Sequence, residues 1–244
     1  KINDLINLRL YGNPLIDINI RSKLIRIKTV TPRDKVVFHD SYLDGWNIQI
    51  DSKESAGSNQ NKPRIDKNLL TGLVTIKDSE INNIDISVAN GIFEDSLNIM
   101  RSQGSINTID IKNSYADAVD FDFSDLEIDQ ILIKNAGNDC IDLSGGKYYI
   151  NKVEAYGCRD KGVSIGENSN TLIELAIIEN AKTGLVSKDS STLVVKEGTI
   201  KESSVCLSAY RKKQEFSGGY AQLNKGICEE GIIKVQENSI IEYK

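Results

Sequence analysis

The sequence contains no apolar run approaching the roughly 18 residues that a bilayer-spanning helix needs. It opens on Lys1-Ile2-Asn3-Asp4 and shows no charged-then-apolar leader. Membrane insertion is therefore not expected, while a removed leader or a larger parent protein stays open. Histidine is nearly absent: His39 is the single one, in Phe38-His39-Asp40-Ser41, and its place outside the regular repeats points to a structural or surface role. Basic runs are limited to Arg211-Lys212-Lys213, and 35 acidic against 30 basic residues leave a net charge of −5. Recognition of a phosphate backbone requires clustered cations, so nucleic acid is not an expected partner. The four cysteines, Cys140, Cys158, Cys206 and Cys228, lack the CxxC spacing of common zinc sites. Free buried thiols and any of three disulfide pairings remain open. Prolines number only three, Pro14, Pro32 and Pro63, all near turns in the first 63 residues. Proline cannot donate to a sheet ladder, so its absence from the rest permits long uninterrupted strands.

What is present is a repeat. From Ala118 the chain divides into four blocks of 22 residues, opening AVDFDFSD, CIDLSGGK, GVSIGENS and GLVSKDSS. The second position is apolar in each block (Val119, Ile141, Val163, Leu185), and so is the eleventh (Ile128, Ile150, Leu172, Val194). The fourth holds Phe121, Leu143 and Ile165 before Ser187. Alternation with period two means strands, and its recurrence every 22 residues makes each block one turn of a coil. A single turn cannot bury its own apolar face, so neighbours must stack. Gly, Asn, Asp and Ser fill the intervening positions, as tight corners require. The expected fold is all-β, a right-handed parallel β-helix forming one domain over 1–244. Within it we expect less regular coils over 1–95 with a polar excursion at 52–68, regular coils over 96–205, and C-terminal coils over 206–244. With hydrophobic content of 39% and charged content of 27%, such a solenoid can build a substantial core.

A 22-residue period stacks like positions at the sheet spacing of about 4.8 Å. The last position of each coil reads Asp95, Asp117, Asp139 and Lys161. The third supplies Asn98, Asp120, Asp142 and Ser164; the fifth Asp122, Ser144, Gly166 and Lys188; the sixth Glu167 and Asp189. Because the second and fourth positions point inward, the third and fifth are expected to point outward, with Tyr210 and Lys212 extending the same face by one coil. Carboxylates stacked at this spacing repel by about 1 kcal/mol even in a water-like medium. Such a column invites a cation, a shared proton or a lysine. The plainer alternative is that these aspartates cap backbone amides at the corners.

The motifs around this face, YADAVD, GNDCID, DKGVSIG and GLVSKD, resemble those of the pectate-lyase-like superfamily of β-helices, and most nearly the polygalacturonase-type glycoside hydrolases. Ala116-Asp117, Asn138-Asp139, Lys161-Gly162 and Ser187-Lys188 stand where that family carries its aspartates, histidine and arginine-lysine pair. Asn138, Lys161 and Val186 depart from the pattern, so the family mechanism does not transfer whole. The resemblance implies a polysaccharide-active protein, hydrolase or lyase, acting on an acidic glycan outside the cell or at its surface. Asp117, Asp139, Lys161 and Lys188 would be catalytic, and Asp120, Asp122, Asp142, Glu167, Asp189, Tyr210 and Lys212 would bind substrate. A lyase of this superfamily would also use aspartates, here Asp95, Asp117 and Asp139, to hold calcium. Otherwise no cofactor is expected. Similar repeats also form non-catalytic carbohydrate-binding or structural modules of larger surface or secreted proteins, and the two readings stand side by side.

Overall fold

A computed structural model describes residue 2, residues 5–52, residue 65 and residues 67–244. Most of the polar excursion expected at 52–68, namely 53–64 and 66, lies outside the described residues. The chain is an all-β parallel solenoid of about nine turns, joined into one hydrogen-bonded sheet. Strands such as Asp117–Ala136, Ile141–Gly166 and Asn170–Lys188 bend around the corners and pair in parallel with their neighbours. The first coils are covered by two antiparallel strands, Asn7–Tyr11 on Lys35–His39 and Leu15–Asn19 on Leu24–Thr29.

The inward columns follow the alternation. Val119, Ile141, Val163, Leu185 and Leu207 form one, and Phe121, Leu143, Ile165, Ser187 and Ala209 another, all buried. Register on this face steps by 22, pairing Val119 with Ile141 and Asp120 with Asp142. One step is longer. Lys147 pairs with Asn170, an offset of 23, because an extra residue is accommodated in the turn after Gly166. This corrects the eleventh column: Ile173 and Val195, in line with Ile128 and Ile150, enter the core, while Leu172 and Val194 are only partly buried.

The cysteines pair as Cys140–Cys158 and Cys206–Cys228. The last coil leaves its apolar positions uncovered: Ile233 and Val235, stacked on Leu207 and Ala209, are 42% and 58% exposed.

Candidate functional site

The column before the first strand of each coil is a buried corner. Asp95, Asp117 and Asp139 are 0%, 3% and 2% exposed. Asp117 is in register with Asp95, and its Oδ1 accepts hydrogen bonds from the Asp139 amide at 2.8 Å and Asn138 Nδ2 at 2.7 Å. One rung on, Asp139 Oδ1 accepts the Lys161 amide at 3.1 Å. The Lys161 ammonium lies 3.1 and 3.2 Å from the two Asp139 oxygens and 2.5 Å from Asp160 Oδ2. A backbone amide thus closes on the carboxylates of Asp117 and Asp139, as corner capping requires, whereas the Asp117 amide donates to the Glu94 carbonyl at 2.7 Å, and the stacked charges end on a lysine.

Burial, then the charge of Asp139, pushes the Asp117 carboxyl up to about 7 despite its two hydrogen bonds. Burial also pushes Asp139 up to about 6, although Lys161 opposes it. For Lys161, burial works against the charged form, but Asp139 and Asp160 outweigh it and its pKa is raised. Lys161 is held firmly as an ammonium.

The neighbouring strand carries the part of the face that reaches solvent. Asp120 and Asp142 are in register and partly exposed. Asp120 makes no side-chain hydrogen bond among the described residues; burial, then the charges of Asp95, Asp122, Asp142 and Asp117, raises its pKa well above the usual carboxylate range. Asp122 lies beside it and accepts a hydrogen bond from Asn98 Nδ2 at 3.2 Å. The outward expectation for this strand holds only in part. Asn98 and Ser164 are buried, and Lys188 is 5% exposed because it folds back across two rungs. Its Nζ lies 2.7 Å from Ser164 Oγ and 3.3 Å from Asp142 Oδ1. Gly166 makes this path possible, since a Cβ there would stand 2.8 Å from Lys188 Cε. Tyr210 stacks in register on Lys188; burial raises its phenol pKa, against the charges of Lys188 and Lys161.

Asp117, Asp120, Asp122, Asp139, Asp142, Lys161, Lys188 and Tyr210 therefore form one cluster. Glu167 and Asp189 sit around the next corner, where they anchor the excursion after Tyr210. Asp189 Oδ1 accepts the Lys212 and Lys213 amides at 2.6 and 2.8 Å, and Glu167 pairs with the Lys213 ammonium. The Lys212 side chain is exposed. His39 lies apart from the cluster, hydrogen-bonded to Asp40 at 2.8 Å. Sequence reasoning passed over Asp160, Asn138 and Ser164 as site members. Asp160 had a readable signal, an acid beside the lysine of the column; Ser164 had none, because its role depends on Lys188 reaching back two rungs.

The donors suit calcium poorly. The Lys161 ammonium stands against both Asp139 oxygens, and among the described residues no three His, Cys, Asp or Glu side chains are placed to share a metal ion. No family model matches the chain, and neither a curated protein nor a solved structure does.

Proposed function

We propose that this chain cleaves a polysaccharide, with Asp120 as the proton donor. The observation that carries the reading is the environment of Asp120, a partly exposed carboxyl without a side-chain hydrogen-bond partner among the described residues, its pKa raised by burial and by four surrounding carboxylates. Such a group can give its proton to a glycosidic oxygen near neutral pH. Asp142, one rung away and paired with Lys188, supplies the second carboxyl that glycoside hydrolysis requires, as base or nucleophile. Water adds across the broken bond, and the proton that Asp120 loses is regained from that water. The raised pKa of Lys161 argues against its serving as the proton-abstracting base of a lyase. The motif resemblance to polygalacturonase-type hydrolases supports a glycan substrate, and the two disulfides suit an extracellular or cell-surface setting.

Asp120→Asn, Asp142→Asn and Lys188→Met are to be assayed against a panel of neutral and acidic polysaccharides for new reducing ends and for unsaturated sugar products. The expected result is release of reducing ends by the wild type and a loss of at least about 100-fold in Asp120→Asn, the scale of general acid catalysis. Unchanged turnover in Asp120→Asn would sink the assignment.

A second reading has its own support. Asp117 and Asp139 each accept the amide of the next rung, which is how a structural corner of a non-catalytic glycan-binding module would use them. That reading expects no polysaccharide in the panel to be cleaved.

A further inference from the structure

A groove of about 850 Å³ follows one corner of successive coils. One lining residue per coil takes a left-handed conformation: Asn90, Asn113, Asn135, Gly157, Asn180 and Glu202, at φ of 59°, 59°, 63°, 73°, 58° and 49°. Asparagine tolerates this left-handed conformation better than most residues. The amides form a row, with Asn113 Nδ2 donating to Asn90 Oδ1 and Asn135 Nδ2 to Asn113 Oδ1, each at 3.1 Å. At Gly157 the row is interrupted. Asn135 Oδ1 accepts no hydrogen bond and the Asn180 side chain makes none among the described residues, so a donor and an acceptor face an empty rung.

Two cations border the gap. Arg159 is exposed and has no ion-pair partner among the described residues. Lys182 reaches only Asp160 Oδ1, at 3.5 Å, and its side chain is 70% exposed. Tyr115, 44% exposed, lines the same groove two rungs before Arg159, about 10 Å away along the solenoid. Glu202, the single carboxylate of the lining, stands at the far end. Tyr115, Gly137 and Arg159 each precede Asp117, Asp139 and Lys161 by two residues, so the groove adjoins the carboxylate corner.

We propose that the empty rung at Gly157 binds an acidic sugar residue of a polysaccharide. Its carboxylate lies on Arg159 and Lys182, its hydroxyls meet the free amide groups of Asn135 and Asn180, and a neighbouring ring of the chain packs on Tyr115. The physical argument is one of local conflict. Glycine meets the left-handed φ of 73° without the strain that asparagine carries there, but it forfeits two amide hydrogen bonds at a position where four sister corners carry asparagine. A break in a hydrogen-bonded row, beside a cation without an ion-pair partner among the described residues, is the pattern expected of a site shaped for a ligand. The choice of a sugar rests on the function proposed above; the gap and its charges do not.

Gly157→Asn fills the rung. Its Cβ would lie 3.0 Å from Asn135 Oδ1, the movable end of a side chain. Binding of alginate, polygalacturonate and hyaluronan, with dextran as the uncharged comparison, is to be measured by titration calorimetry for the wild type, Gly157→Asn, Arg159→Ala and Asp120→Asn. We expect the wild type to bind at least one acidic polymer in preference to dextran. Gly157→Asn, in which regained amide hydrogen bonds offset the strain of a left-handed asparagine, should stay folded and melt within a few degrees of the wild type yet bind at least tenfold more weakly; Arg159→Ala should lose a similar factor without a change in melting; Asp120→Asn should keep its affinity. Unchanged affinity in both groove variants, preference for dextran, or no binding of any acidic polymer would overturn the assignment. Groove variants that keep their affinity while Asp120→Asn loses turnover would defeat the groove alone. Weakened groove variants of a protein that cleaves nothing would defeat the enzymatic reading alone.

Discussion

Asp117 shows how one side chain can be both a structural cap and a titrating group. Its Oδ1 holds the amide of Asp139, which ties two coils together, while burial lifts its pKa to about 7 from an ordinary 3.8. A folded-state pKa above the unfolded value means that the native protein binds the proton more tightly, so this contribution is complete below about pH 4 and is lost as pH rises through 7. Asp139, lifted to about 6, adds in the same direction. The shift at Asp117 corresponds to at most about 4 kcal/mol at 1.36 kcal/mol per pH unit. We therefore predict that the stability of the wild type falls between pH 4.5 and about pH 8 and that Asp117→Asn, whose amide oxygen can still accept both hydrogen bonds, flattens this fall. Urea denaturation at several pH values checks this, and an unchanged slope would contradict it. The alignment of Asp95, Asp117, Asp139 and Lys161 was legible from spacing alone. Their burial was not, because it depends on how the corner packs and not on which residues occupy it.

Single columns explain why whole elements stay in register. On the corner after the first strand, serines hand hydrogen bonds from coil to coil: the Ser41 amide donates to Ser79 Oγ at 3.1 Å, Ser79 to Ser102 at 3.2 Å, and Ser102 to Ser124 at 3.1 Å. In the next coil the Tyr148 hydroxyl takes the serine's place, accepting the Ser124 amide at 3.4 Å while its ring stacks on Phe121. Ser102→Ala would leave the buried Ser79 amide without an acceptor, which costs about 1–3 kcal/mol. Chemical denaturation should show that loss, with no change in turnover if the Asp120 site is catalytic. The replacement by Tyr148 and the inserted residue after Gly166 were hidden in the sequence for one reason. A 22-residue count assumes that every corner has the same length, and corners absorb extra residues without disturbing the strands.

Across the whole molecule, stability should be graded along the axis, since each coil touches only its neighbours. Central coils have partners on both sides. The last coil has one, and its Ile232, Ile233, Val235 and Ile240 are 55%, 42%, 58% and 58% exposed. Hydrogen exchange is expected to be slowest across Asp117–Ala136 and Ile141–Gly166 and fastest across Ile232–Val235 and Ile240–Tyr243. Cys206–Cys228 fastens the penultimate turn, so replacing both cysteines with serine should speed exchange in Tyr220–Cys228 while leaving the centre unchanged, with a loss of about 2–4 kcal/mol from the C-terminal coils. Uniform exchange along the axis would argue against the graded picture.

Period-two alternation within a 22-residue repeat was enough to specify a parallel β-solenoid, because only stacked coils bury such a pattern. The same arithmetic placed Asp120 above Asp142 and Asp139 before Lys161. Only the tertiary structure decided which of these charges reach solvent. It turned Lys188 back onto Asp142, closed Asp117 and Asp139 into a corner, and left the Asp120 carboxyl partly exposed without a hydrogen-bond partner among the described residues. It also paired the cysteines and broke the amide row at Gly157 beside Arg159. Spacing along a chain determines what lies above what; burial, and the pKa shifts that follow from it, depends on the packing of every neighbouring coil.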